Sequence, residues 1–263
     1  MKILLLSDIH ENYNSFERII KNVNFDLLIL AGDICEFRCD KFYEIFKEIA
    51  VPIVITHGNH DCILCYQKMS KLIKNFHWLH NSILDIKIGD ETLGIAAIGG
   101  TFTRKKRDIR RFSIVDVIKL ANKLMRNETN IDILLTHECA KKCSDIIPST
   151  KNLRGGKEVF YLLHVVARPK YHICGHMHYP SAERRGHVIC VNPGYGFAGI
   201  GAILDTKSGK ISFFRIKVKQ DLIVEHKKVY SYNWVWNVPR SYNRILKMEA
   251  ERLVKGFANK TSI

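Results

Sequence analysis

No stretch of this chain is long and apolar enough to cross a membrane, and its first apolar run, Ile3 to Leu6, ends at Asp8. A membrane span needs about 20 apolar residues and a signal-peptide core about 7–15. The expectation is therefore a soluble, cytoplasmic protein with no membrane partner. Internal repeats and low-complexity linkers are also missing, so nothing in the pattern splits the chain into an array. Glutamine occurs only twice, a scarcity that points towards a thermophile. Acidic residues are outnumbered, with 26 Asp+Glu against 41 Lys+Arg and a net charge of +15. Such an excess attracts polyanions and speeds encounter with phosphate-bearing substrates, without specifying a fold.

What is present is a 263-residue chain, 46% hydrophobic, which can bury a substantial core in one or two domains. Apolar runs alternate with amphipathic stretches, which argues for an α/β architecture. Lys2–Leu6, Leu27–Ala31, Pro52–Thr56, Ile131–Thr136 and Tyr171–Cys174 read as buried strands. Ser15–Asn22 and Lys41–Ile49 carry apolar residues at helical spacing. From Ile83 to Gly100 the rhythm becomes that of strands around the turn signal Gly89-Asp90-Glu91. Ile114–Leu124 and Glu158–Val166 then read as helices, before strands around His187–Val191, Ala202–Leu204 and Ile211–Ile216.

Five polar motifs stand where apolar runs stop: Asp8-Ile9-His10, Gly32-Asp33, Gly58-Asn59-His60-Asp61, Thr136-His137 and Gly175-His176-Met177-His178. Carboxylate, amide and imidazole are all ligands for divalent cations. An open α/β sheet places its binding crevice at strand ends, where these five loops can converge. A single Asp-x-His or Gly-Asp is more often a turn, whereas the ordered set specifies a metal site.

The ordered set resembles the calcineurin-like metallophosphoesterase superfamily over roughly residues 1–217, including Asn192-Pro193-Gly194, which is similar to a turn of its small bacterial- and archaeal-type members. The resemblance implies a four-layer α-β-β-α sandwich of two mixed sheets with flanking helices. It also implies two divalent metal ions, Mn first, with Fe, Ni, Co, Zn or Mg as alternatives. Asp8, His10 and His178 would complete one shell and Asn59, His137 and His176 the other, with Asp33 bridging. His60 resembles the family's non-ligand histidine, which assists the leaving group while a hydroxide between the metals attacks phosphorus. Glu36 stands where some members place an acid that orients this histidine; an ion pair with a nearby Arg or Lys is the competing reading.

Two positions depart from that pattern. Glu11 follows His10 where Gly is common, and its carboxylate faces either the site or solvent. Phe37 occupies the position at which the phosphatase branch carries Arg, with Arg38 one residue later. Six basic residues fall within the eight positions Arg104 to Arg111. That run is either a solvated surface or a rim for an anionic substrate, with Arg104, Arg107 and Arg110 as candidate contacts. These features favour a phosphodiester, including a nucleotide or nucleic acid. A phosphomonoesterase, or a scaffold keeping the metal site, is the alternative.

The other histidines, His57, His77, His80, His164, His172, His187 and His226, complete no ligand spacing and are read as core or surface residues. Eight cysteines remain. Cys35 and Cys39, Cys62 and Cys65, and Cys139 and Cys143 follow proposed ligands, and Cys174 precedes His176. Buried reduced thiols, disulfides and soft-metal ligands are all open. Residues 218–263 form an extension with an aromatic segment, Val229 to Trp236, and an amphipathic helix through Tyr242, Leu246, Leu253 and Phe257. It is expected to pack on the domain at residues 1–217, with a homo-oligomer contact or a nucleic-acid-facing surface as the other uses.

Overall fold

Side chains alternate across a strand, so a strand buried on both faces reads as an unbroken apolar run. That is how the runs read from the sequence are used. The structure, a computed structural model, describes residues 1–37, 39–103, 110–141, 143–144, 146–147, 152–153 and 159–217. Met1–Ile216 form one compact unit. Residues 218–263, with the expected aromatic segment and helix, lie outside the described residues, as do Arg38, Arg104 and Arg107.

The first half of the chain runs β1 (Lys2–Leu6), α1 (Tyr13–Asn22), β2 (Leu27–Ala31), α2 (Cys39–Glu48), β3 (Ile53–Thr56), α3 (Ile63–Leu72) and β4 (Phe76–Trp78). Next come β5 (Ser82–Ile88), β6 (Glu91–Ile98), β7 (Thr101–Phe102), β8 (Arg111–Phe112), α4 (Ile114–Met125) and β9 (Ile133–Thr136). The remainder is β10 (Ile146–Ile147), β11 (Asn152–Leu153), α5 (Phe160–Ala167), β12 (Tyr171–Ile173), β13 (Ser181–Arg185), β14 (Val188–Asn192), β15 (Ile200–Asp205) and β16 (Ile211–Arg215).

Two six-stranded mixed sheets result, in the orders β16-β15-β1-β2-β3-β4 and β13-β14-β12-β9-β6-β5. In the first, β1 to β4 are parallel and β15 runs antiparallel to β1. In the second, β6, β9, β12 and β14 are parallel, and β5 and β13 close the edges antiparallel.

Register separates three apolar layers. Leu4, Leu6, Leu28, Leu30, Ile53 and Ile55 face Phe16, Phe42, Phe46 and Tyr66 of the helices α1 to α3. Their neighbours Ile3, Leu5, Leu27, Ile29 and Val54 face Ile95, Ala97, Ile133, Leu135 and Ile173 of the second sheet. On the far side of that sheet, Ala96, Ile98, Leu134 and Cys190 pack against Val117, Leu120, Phe160 and Leu163 of α4 and α5. This is the four-layer sandwich that the family resemblance implies.

Of the elements that escaped the sequence reading, α3 and β13 are the longest. In α3 the buried residues Ile63, Tyr66 and Met69 are accompanied by exposed Leu64 and Leu72, which blur the apolar stripe. Strand β13, Ser181–Arg185, is a polar edge strand and carries no apolar run. No helix among the described residues is long and apolar enough to cross a membrane.

Phe46 is fully buried, with its ring 5.5 Å from Phe16, 6.0 Å from Phe42 and 5.1 Å from Phe76. Phe46→Ala is expected to lower the unfolding free energy by about 3–5 kcal/mol in urea titration, as loss of a large core ring does. Val165→Ala, at a position 71% exposed, should change it by less than about 0.5 kcal/mol.

Candidate metal centre

All five motifs leave strands at one end of the sandwich. The loops after β1 and β2 are hydrogen-bonded to each other, Asp8 N–H to Gly32 O at 3.0 Å, His10 N–H to Asp33 O at 2.9 Å and Glu11 N–H to Ile34 O at 3.0 Å. Asp8, His10, Asp33, His176 and His178 all have left-handed backbone, with φ of 56, 46, 56, 65 and 55°. Such conformations cost about 1–3 kcal/mol each for non-glycine residues and persist where the surroundings over-determine them. Glycine is required at two close approaches. A Cβ on Gly58 would strike the Asp33 carboxylate, and one on Gly175 would strike Ser7 Oγ and approach Asp8.

The side chains gather in two groups. Asp8, His10 and His178 offer donor atoms within 4.8 Å of one another, as do Asp33, His137 and His176. Asp8 Oδ1 is 3.2 Å from His178 Nε2 and 3.8 Å from His10 Nε2. Asp33 Oδ2 joins the groups, 3.9 Å from His10 Nε2 and 3.3 Å from His137 Nε2. Ser7 Oγ–H donates to Asp8 Oδ2 at 2.7 Å, and the His176 N–H donates to the same oxygen at 3.0 Å. His137 Nδ1 meets Ala31 O at 2.8 Å, which turns Nε2 towards Asp33.

The donor set suits divalent cations. Among the described residues, the buried Asn59 Oδ1 has no hydrogen-bond partner, an arrangement that a cation would satisfy. Burial alone would raise Asp8 and Asp33, yet His178 beside the first and His137 beside the second hold both below the usual carboxylate range. Burial pushes His10 down to about 3 and His176 down to about 4, keeping both imidazoles neutral. His137 behaves otherwise. Burial would lower it, but Asp33 and then Asp8 raise it to about 10.

His60 belongs to neither group. Its N–H donates to Asp33 Oδ1 at 2.8 Å, its ring lies edge-on to His10 at 5.4 Å, and its Nδ1 is 3.9 Å from Glu36 Oε2. Burial opposes its protonation, whereas Glu36 and Asp33 favour it, and the net shift is upward. Glu36 Oε1 is also 3.8 Å from Arg110 Nη1. Both readings of Glu36 therefore hold at once, and Arg110, alone among the three candidate substrate arginines in being described, is brought to the rim through it.

Glu11 takes neither expected course. Its carboxylate accepts from the N–H groups of Glu36 and Phe37 and so secures the loop after β2. Phe37 is 66% exposed. Sequence reasoning passed over Asp61, whose fully enclosed carboxylate accepts from the N–H of Asp33, Ile34, Cys35 and Gly58 and from Tyr66 O–H. Burial and the charge on Asp33 raise it to about 6. Its one signal was its place beside His60 in the third motif. Tyr195 was missed too; it stacks on His178 at 4.5 Å from the turn after Asn192-Pro193-Gly194.

Of the remaining histidines, His172 is buried between Thr136 Oγ1 at 2.8 Å and His164 Nε2 at 2.9 Å, as a satisfied core residue. His57 differs: Trp78 Nε1–H donates to its Nδ1 at 3.3 Å, while its Nε2 is buried without a hydrogen-bond partner among the described residues. Four cysteines are resolved as disulfides, Cys139–Cys174 and Cys143–Cys190. Cys35, Cys39, Cys62 and Cys65 are unbridged.

The sequence pattern of the calcineurin-like phosphoesterases matches residues 1–180. The chain belongs to that family. Its members are metal-dependent hydrolases of phosphate esters, and the fold agrees with solved structures. The TT1561 protein of Thermus thermophilus superposes with a TM-score of 0.66 at 15% identity, over 81% of this chain and 98% of that one. A phosphopantetheinyl hydrolase of Mycobacterium tuberculosis gives 0.52 at 12% identity, over 74% and 90%. A Staphylococcus aureus protein described as a putative 5'-nucleotidase gives 0.50 at 15% identity, over 88% and 58%. At these identities the likeness is one of fold. No protein of curated function matches the chain in sequence.

Two outcomes are expected. Asp61→Ala leaves four backbone N–H groups and a tyrosine hydroxyl without their acceptor. At about 1–3 kcal/mol for each buried unpaired group, partly relieved by water, the loss should reach at least about 3 kcal/mol in chemical denaturation. Cation binding should also depend on pH. His137 is protonated below about pH 10, so an entering cation must expel its proton, and affinity should rise by about tenfold per pH unit between about pH 7 and 9. Mn²⁺ titrations followed by electron paramagnetic resonance would check the slope.

Proposed function

We propose that this phosphoesterase hydrolyses phosphodiesters with two divalent cations, Mn²⁺ foremost, held by Asp8, His10 and His178 on one side and Asn59, His137 and His176 on the other, with Asp33 shared. The observation that supports this most is the meeting of the two three-residue donor groups at Asp33 Oδ2. When bound, such ions neutralise phosphoryl oxygens and bring the pKa of water to about 7.

The chain's own residues then divide the work. Asp33, kept ionised, offsets repulsion between neighbouring cations. Imidazole and amide donors add no negative charge, so Asp8 and Asp33 would be the only anionic groups among these candidate ligands, an arrangement suited to an anionic ester. His60, held towards its protonated form by Glu36 and Asp33, donates its proton to the departing alkoxide. Glu36 orients the imidazole from the Nδ1 side. Tyr195, stacked on His178, limits how that ring can turn.

Diester preference is supported by the rim. A monoester dianion calls for more positive charge around phosphorus than a diester anion. Exposed Phe37 occupies the position of the phosphatase-type arginine, and Arg110 is engaged by Glu36. An apolar ring there suits the second organic group of a diester, such as a nucleoside, and the net charge of +15 draws polyanions.

The test compares bis(4-nitrophenyl) phosphate with 4-nitrophenyl phosphate on metal-stripped protein supplied with Mn²⁺. A kcat/KM at least about tenfold higher on the diester is expected; the reverse ratio would assign a monoesterase. His60→Ala should retain its metal yet lose about 10²- to 10⁴-fold in turnover, the usual contribution of a general acid. Asp33→Asn should lose metal-dependent activity altogether, and full activity in that protein would sink the reading.

A further inference from the structure

Four cysteines unused by the phosphoester centre stand together. Cys35 lies in the loop after β2 and Cys39 opens α2, while Cys62 is the residue before α3 and Cys65 lies in its first turn. Cys35 Sγ is 2.7 Å from Cys39 Sγ, and Cys62 Sγ is 2.6 Å from Cys65 Sγ. The two pairs meet, since the sulfurs of Cys39, Cys62 and Cys65 lie within 4.8 Å of one another. Backbone bonds hold the meeting in place: Cys62 N–H donates to Cys35 O at 2.9 Å and Cys65 N–H to Cys62 O at 3.1 Å.

We propose that Cys35, Cys39, Cys62 and Cys65 form a four-thiolate site for a single zinc ion, separate from the phosphoester centre and independent of its assignment. Tetrahedral zinc with Zn–S bonds of about 2.3 Å places its sulfurs about 3.8 Å apart. The sulfurs within each pair, 2.7 and 2.6 Å apart, stand closer than that, so a small opening of each pair would produce the tetrahedron. A polynuclear iron–sulfur core would need the four sulfurs farther apart. Thiolates also select against Mn²⁺ and Mg²⁺, the hard ions suited to the oxygen and nitrogen donors of the first centre.

Two features separate this site from a redox dithiol. A dithiol needs one pair, whereas here a second pair from another loop converges on it. These four thiols are unbridged, and a bound cation would keep adjacent thiolates from oxidising one another. Cys35 and Cys39 are buried and Cys62 and Cys65 half-buried, so the ion has a way in from the surface on the α3 side. Binding releases four protons, as four thiols and Zn²⁺ give Zn(SR)₄²⁻. The consequence is mechanical. Zinc would clamp the loop bearing Asp33 and Glu36 to the loop bearing Asn59 and His60.

The test uses the full chain purified with zinc present. Titration with p-hydroxymercuribenzoate, which attacks thiolates, should release about one zinc per chain, detected with a metallochromic dye. Cobalt-substituted protein should show an intense thiolate-to-cobalt charge-transfer band, which oxygen and nitrogen donors do not produce. Both signals should vanish in the Cys39→Ser/Cys65→Ser protein and survive in Cys139→Ser/Cys174→Ser. Absence of the charge-transfer band from the wild-type cobalt protein would overturn the proposal, and that measurement stands even where a double variant fails to fold. Peptide mapping that finds Cys35–Cys39 and Cys62–Cys65 disulfides in the native protein would overturn it equally.

Discussion

The carboxylate of Asp61 is the interaction on which the centre depends. Enclosed at the base of the third motif, it gathers N–H groups from Asp33, Ile34, Cys35 and Gly58. These belong to two different loops, after β2 and after β3, whose own backbone groups have no strand partner once the sheet has ended. One acceptor satisfies both and sets the distance between Asp33 and the Asn59-His60 pair. Glu11 performs the same task on the outer side, accepting from Glu36 and Phe37. Carboxylates one step removed from the donor atoms thus give the loops their shape.

That scaffolding explains how unfavourable features persist. Five candidate ligands hold left-handed backbone, and two ionised carboxylates are buried among four imidazoles. Each is costly alone, and together they amount to a site that only the surrounding sandwich could hold. A proton on His137 counters the charge on Asp33, and a cation bound by this candidate ligand would compete with it. Strained geometry and a proton that must leave are what a preorganised cation site looks like from the protein's side.

Much of this was legible from residue order. The runs Lys2–Leu6 and Leu27–Ala31 coincide with β1 and β2, because a strand buried on both faces leaves an unbroken apolar stretch. Each polar motif marks the point where the apolar run stops. Helix α3 and strand β13 were not legible, the first because Leu64 and Leu72 face outward and the second because an edge strand needs no apolar run. Within the site, Asp8, His10, Asp33, Asn59, His137, His176 and His178 were recognisable by type and order. Tyr195 and Asp61 were not, since a stacked ring or a buried acceptor has no spacing signature.

Residue order by itself determined the α/β class, the strand-end position of the donors and their chemical kind, since hydrophobic period and ligand type are local properties. It did not determine who meets whom. That Glu36 stands between His60 and Arg110, that Glu11 turns to a neighbouring loop, and that Cys35-x₃-Cys39 meets Cys62-x₂-Cys65 while Cys139 and Cys143 pair with Cys174 and Cys190, all depend on contacts between loops far apart in the chain. Such contacts follow from the parallel order of β1, β2 and β3 and from the packing of one sheet on the other. No local pattern encodes them.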